Sequence, residues 1–121
     1  MYYSIAELAD KVTDYQVELL LLLDKGFEIV TNEGSDFRCW LVMEKETVKY
    51  AVRKDSADGL LANYLMKSVD ESRRAHFRYQ ISDKGKTVLE RIDVRKSSRM
   101  RAVERKLVKK GFEGIKYSHI N

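Results

Sequence analysis

Hydrophobic and polar positions along this chain change period several times, and each change marks an element. Ser4-Ile5-Ala6-Glu7 has capping-box spacing, and Ile5, Leu8, Ala9 and Val12 then fall on one helical face. Thr13-Asp14-Tyr15-Gln16 repeats the signal at once. A second helix therefore runs through Val17 and Leu19–Leu23 to Asp24-Lys25, with Gly26 as its natural stop. From Phe27 the period shortens to that of strands: Glu28–Thr31, then Phe37–Met43, then Thr47–Arg53 with Val48, Tyr50 and Val52 on one face. Asn32-Glu33-Gly34-Ser35 reads as a turn and Glu44-Lys45-Glu46 as a hairpin loop. Asp55 or Ser56 caps a third helix carrying Leu60, Leu61, Tyr64, Leu65 and Val69. The cleanest alternation follows, with Ala75, Phe77, Tyr79 and Ile81 apolar against Arg74, His76, Arg78 and Gln80. Ser82 opens a helix with Val88, Leu89 and Ile92 inward. Ser97 or Ser98 opens a last helix that closes at Gly111, and residues 115–120 have the pattern of a terminal strand.

The order α-α-β-β-β-α-β-α-α predicts an α+β fold, with helices packed on an antiparallel sheet in one domain over residues 1–121. There is no proline and no low-complexity stretch to mark a linker. Two segments echo each other, Asp24-Lys25-Gly26-Phe27 and Lys109-Lys110-Gly111-Phe112, and any helix ending in glycine before an extended segment could produce the echo. At 44% hydrophobic residues the chain can build a core without staples, and Cys39, its single cysteine, has no intrachain partner. A lone thiol, no basic leader region and no apolar run longer than Leu19–Leu23 together predict a cytoplasmic protein that is neither exported nor membrane-spanning.

Charge divides the chain. Residues 1–60 hold 7 Lys/Arg against 12 Asp/Glu, or −5, whereas residues 61–121 hold 16 against 7, or +9, giving the overall +4. The basic excess concentrates between residues 91 and 110, where Arg91, Arg95, Lys96, Arg99, Arg101, Arg105, Lys106, Lys109 and Lys110 face only Asp93 and Glu104. Met100, Val103 and Leu107 form a narrow apolar stripe there. The pattern predicts a helix that docks by its stripe and offers arginines to phosphates, over the blander reading of a solvated charged face. The strand face with Arg74 and Arg78 could extend that surface. A membrane-surface role ranks lower, because the stripe lacks large aromatic residues.

Two stretches resemble DNA-binding families. The run Ser4-Ile5-Ala6-Glu7-Leu8-Ala9 through Gly26-Phe27 resembles the opening of MerR-type and excisionase-type helix-turn-helix domains, with Ile5, Glu7, Leu8, Ala9, Val12 and Gly26 at the pattern's spacing. It departs at Thr13, where that turn usually has glycine, and at Glu18 and the leucines, where DNA-reading residues would sit. This helix pair therefore reads more readily as scaffold or as an interface for a partner or a second copy. Phe77-Arg78-Tyr79-Gln80-Ile81-Ser82-Asp83-Lys84-Gly85 is similar to the exit of a winged-helix domain, which would put Ala57–Lys67 in the place of a recognition helix, although its only base is Lys67. Thr13–Val69 has the element order of a double-stranded-RNA-binding fold. However, its second helix opens Asp55-Ser56-Ala57-Asp58 where that family presents lysines.

Other chemistry is sparse. His76 and His119 are the only histidines, no Cys/His cluster has zinc spacing, and no glycine motif cradles phosphate, so no metal or cofactor is expected. Cys39 lies in an apolar alternation and reads as an inert buried thiol, while Glu44 and Glu46 read as solvated loop carboxylates. Trp40, Tyr15, Tyr50 and Tyr64 read as core or sheet-packing residues in preference to a base-stacking platform. No base, nucleophile and stabiliser assemble, which argues against an enzyme. The expectation is a regulatory or accessory protein that binds DNA, in preference to RNA, through Arg91–Lys110. The alternative is a small inhibitor or adaptor, of a kind suited to a phage or mobile element, that meets a partner protein through acidic residues such as Glu18, Glu28 and Asp36.

Overall fold

Both N-terminal capping boxes form. The Ser4 and Thr13 hydroxyls each accept from the backbone N–H three residues on, at 3.1 Å, and Glu7 and Gln16 accept from the cap N–H groups in return. In this computed structural model, which describes residues 3–32, 39–43, 46–69 and 76–112, the boxes open α1 (Ile5–Lys11) and α2 (Asp14–Asp24). There follow β1 (Phe27–Asn32), β2 (Cys39–Met43), β3 (Glu46–Val52), α3 (Lys54–Ala62), β4 (Met66–Ser68), β5 (His76–Ile81), α4 (Asp83–Arg95) and α5 (Ser97–Lys109). The chain is thus an α+β domain, and its described strands form one antiparallel sheet in the order β3-β2-β1-β5-β4.

The sheet's centre is β1, because the two-residue passage from α2 through Lys25-Gly26 lays it directly beneath its own helix. Gly26 adopts φ 105°, the left-handed turn that a side chain would resist, and so reverses the chain. Gly111 does the same after α5 at φ 97°, and the Phe112 N–H closes back on the Leu107 carbonyl at 3.0 Å. The sequence echo is therefore two equivalent helix exits. Their phenylalanines, Phe27 and Phe112, meet edge to face with centroids 5.7 Å apart.

α2 is the axis of the core. Every residue from Val17 to Leu23 is buried, since the helix contacts β1 and β5 on one side and α3, α4 and α5 on others. Leu20 and Leu21 are fully enclosed, and burying each contributes roughly 1.5–3 kcal/mol. The helix that the helix-turn-helix resemblance would place on DNA is consumed by packing. Its leucines, expected to serve a second copy or partner, have no free face.

The third helix departs from its expectation at both ends. It begins at Lys54 with Arg53 in the cap position, and no side chain caps it. Asp55 bonds the adjacent Ser56 N–H, and the Ser56 carbonyl accepts from Gln16 Nε2 at 3.2 Å. Neither residue acts as the cap. The helix ends at Ala62, seven residues short of Val69, because Tyr64 turns to φ 60° and Leu65 N–H reaches back to the Leu60 carbonyl at 2.8 Å. Met66–Ser68 then pairs with β5 as an edge strand that the helical reading had absorbed. At the junction of α4 and α5 Lys96 takes the cap position, and no serine side chain caps α5.

Ser82 does cap α4, its Oγ accepting from Gly85 N–H at 3.0 Å. Gly85 lies so close to the Leu65 carbonyl that a Cβ there would stand 2.2 Å from the oxygen. The Ser-x-x-Gly spacing is a cap followed by a close approach. The tip of the turn after β1, Glu44 and Lys45, Arg74 and Ala75, and the expected strand over 115–120 lie outside the described residues.

Candidate functional site

The basic segment folds onto the acidic end of the chain. α5 docks by Met100, Val103 and Leu107, all buried as the apolar stripe required. This docking carries its cations to the carboxylates of α1 and α2. Lys96 pairs with Asp10, Lys106 lies 3.8 Å from Asp14, and Lys110 donates to Glu18 at 2.6 Å. Glu18 is only 5% exposed, so that pair closes the side of the core. Arg101 spans Asp93 and the buried Glu104.

Arg99 is the most committed of them. Its Nε donates to Asp14 at 2.8 Å, Nη1 to the Ala9 carbonyl at 2.8 Å, and Nη2 to the Val12 carbonyl. The planar fork satisfies carbonyls left open at the C-terminal end of α1 and places positive charge where the helix dipole favours it.

Much of the charge asymmetry is therefore internal. Lys96, Arg99, Arg101, Lys106 and Lys110 are engaged by acids of the same chain, while Arg91, Arg95, Arg105 and Lys109 make no ion pair among the described residues. Arg78 is also engaged. On the sheet surface its Nε donates to Glu28 at 2.9 Å, and Gln80 holds the other carboxylate oxygen at 2.7 Å. Glu18 and Glu28, expected as exposed contacts for a partner, are both buried and paired; Asp36 and Arg74 fall outside the described residues.

Two of those four cations, Arg91 and Arg95, share one place with Lys96. A polar cleft of about 360 Å³ runs between α1 and α4, walled by Ala6 and Ala9 on one side and by Arg91, Arg95 and Lys96 on the other, with Asp10 at its edge. Its hydrogen bond to Lys96, and that residue's charge, hold the Asp10 carboxyl below its usual range, with smaller contributions from Arg99 and Arg95. One carboxylate thus serves three cations. Small side chains on α1 and i, i+4 arginines on α4 form a groove with an anion-attracting wall, and guanidinium groups suit phosphate oxygens.

Compared with known proteins, the chain matches no family model, no curated protein and no solved structure.

A second concavity, of about 330 Å³, lies between α2, β3 and the end of α5, lined by Tyr15, Leu19, Leu22, Tyr50, Val52 and Phe112 with the Glu18–Lys110 pair at its side. Its walls are apolar. Tyr15 packs as expected there, whereas Tyr64 lies outside the core and is 63% exposed. Sequence reasoning placed Tyr64 in a helix face, and only the left-handed turn that ends α3 puts it outside. No helix among the described residues is long and apolar enough to cross a membrane.

Proposed function

We propose that this protein binds the phosphate backbone of nucleic acid, DNA in the first instance, through the cleft between α1 and α4. Arg91, Arg95 and Lys96 are the contacting residues, in a regulatory or accessory role. The observation that carries the reading is the inequality of that cleft: three cations share a concave surface with one carboxylate, after most of the remaining basic segment has been neutralised internally. Arg105 and Lys109, exposed on α5, add attraction without a groove of their own. Backbone contacts of this kind position a protein without reading sequence.

Fluorescence anisotropy with short duplex DNA, single-stranded DNA and duplex RNA across a salt series tests it. Wild-type binding is expected to weaken steeply with salt, at about 0.9 logarithmic units per phosphate contact on duplex DNA. The double variant Arg91→Glu/Arg95→Glu is expected to abolish it at moderate salt while folding normally. No binding to any of the three at low salt refutes the proposal. Arg99 and Arg101 are unsuitable for that test because their charges hold the fold together.

The apolar concavity at Tyr15, Tyr50 and Phe112 favours a second reading, a small adaptor that takes an apolar side chain of a partner protein there. In that case Tyr50→Glu removes the partner and leaves nucleic-acid binding intact.

A further inference from the structure

Tyr64 is the only non-glycine residue with positive φ among the described residues. It holds the position after the α3 cap where glycine is the usual occupant, with Tyr64 N–H bonded to the Leu61 carbonyl and Leu65 N–H to the Leu60 carbonyl. A side chain is disfavoured in that conformation, and a bulky aromatic residue left 63% exposed gains little burial to offset it. The fold thus holds an aromatic residue out in solvent at a site where glycine would serve the backbone better. The turn is fixed from below, since Ser82 Oγ donates to the Tyr64 carbonyl at 2.6 Å.

The surroundings say what the ring could meet. The Lys84 ammonium stands 5.7 Å from the ring centroid. On a helix of 3.6 residues per turn, Lys84, Arg91 and Arg95 fall within about 20° of one line along α4, about 16 Å from end to end. Asp83, Glu90 and Asp93 point about 100° or more away from that line. One edge of α4 therefore carries an exposed aromatic ring at its N-terminal end and the basic cleft at its C-terminal end, without an acid between them on the helix.

We infer that Tyr64 is a stacking platform for an unpaired base, and that the strand bearing it runs along Lys84 towards Arg91 and Arg95. This rests on the phosphate-binding reading of the cleft and adds to it a ligand form, a single strand or an unpaired end. At about 3.4 Å per nucleotide in a stacked strand, 16 Å spans roughly five nucleotides. A base on an aromatic face needs no hydrogen-bond readout, so the interaction tolerates sequence.

The test is anisotropy with a fluorescein-labelled 15-nucleotide oligothymidine, the same strand carrying abasic sites throughout its centre, and a blunt duplex, using Tyr64→Phe, Tyr64→Leu and Tyr64→Gly. Tyr64→Phe keeps single-strand affinity within about twofold. Tyr64→Leu and Tyr64→Gly lose about 5- to 150-fold, the range for one stacked base, with duplex affinity unchanged. The abasic strand binds wild type as weakly as intact strand binds Tyr64→Leu. Tyr64→Gly melts no lower than wild type, because glycine suits the turn; Phe and Leu impose the same backbone and separate stacking from folding. Equal single-strand affinity of the Phe and Leu variants, or equal losses on duplex and single strand, overturns the inference. If Arg91→Glu/Arg95→Glu still weakens binding in that case, the cleft stands and only the stacking role falls. If wild type binds neither form at low salt, both fall.

Discussion

Replacing Arg99 by alanine tests whether the basic segment is chiefly a structural clamp. The side chain donates to two backbone carbonyls and to Asp14, and it is mostly enclosed, with 21% of its side chain exposed. A hydrogen bond to a charged group contributes about 1.5–3 kcal/mol net, and the two carbonyl bonds share one guanidinium, so their sum is less than twice that. The Asp14 pair is half-exposed and adds less than about 1 kcal/mol, the more so because Lys106 remains nearby. Water reaches part of the vacated space and recovers some of the loss. The expected cost is about 3 kcal/mol. With a urea dependence near 2 kcal/mol per molar, that lowers the midpoint by about 1.5 M, and Tm falls by about 12 °C. Arg99→Lys retains charge but not the three-way planar fork, and should lose about 2 kcal/mol. Arg105→Ala, on the exposed face of the same helix, should stay within about 0.5 kcal/mol of wild type. Urea unfolding followed by circular dichroism compares all three. If Arg99→Ala and Arg105→Ala agree within 0.5 kcal/mol, a limit set by ordinary surface substitutions, the clamp is refuted.

Four further outcomes follow from the same structure. Asp10→Asn releases Lys96 into the cleft, so duplex-DNA affinity should rise at low salt and the log–log salt slope should steepen by about 0.9; an unchanged slope would show that Lys96 does not reach phosphate. Because the folded Asp10 pKa lies below its unfolded value near 3.8, its pairing stabilises the fold above that pH and is lost as pH falls through the folded value. The slope of stability against pH below about 4 should accordingly flatten in Asp10→Asn. Lys110→Ala leaves Glu18 buried without its cation and should cost about 2–3 kcal/mol, while Glu18→Gln/Lys110→Met should recover most of it, as judged by thermal melts. Gly85→Ala sets a Cβ against the Leu65 carbonyl and should cost at least about 2 kcal/mol although alanine favours helices, so a stabilised variant would contradict the packing of α4 on the turn before β4.

The sequence by itself determined what is local. Ser4, Thr13 and Ser82 cap through bonds that span three residues, Gly26 and Gly111 stop helices by their own φ, and the Met100, Val103 and Leu107 stripe docks whatever it meets. These depend on neighbours a turn away, so their spacing is enough to read them. The end of α3 is not legible in the sequence because its stop is a tyrosine in a glycine conformation, and no residue type announces that. The fate of the charges was decided by tertiary structure alone. Asp10, Asp14 and Glu18 lie about 85–92 residues from Lys96, Arg99 and Lys110, and only the packing of α4 on α1 and of α5 on α2 brings them within bonding distance. A composition of −5 and +9 reads as a surface waiting for a polyanion, yet much of that contrast is spent on ion pairs within the chain. A charge is available to a ligand only if no neighbour has already taken it, and the three-dimensional path of the chain leaves Arg91 and Arg95 facing the groove while Arg99, eight and four residues along the same sequence, closes the end of α1.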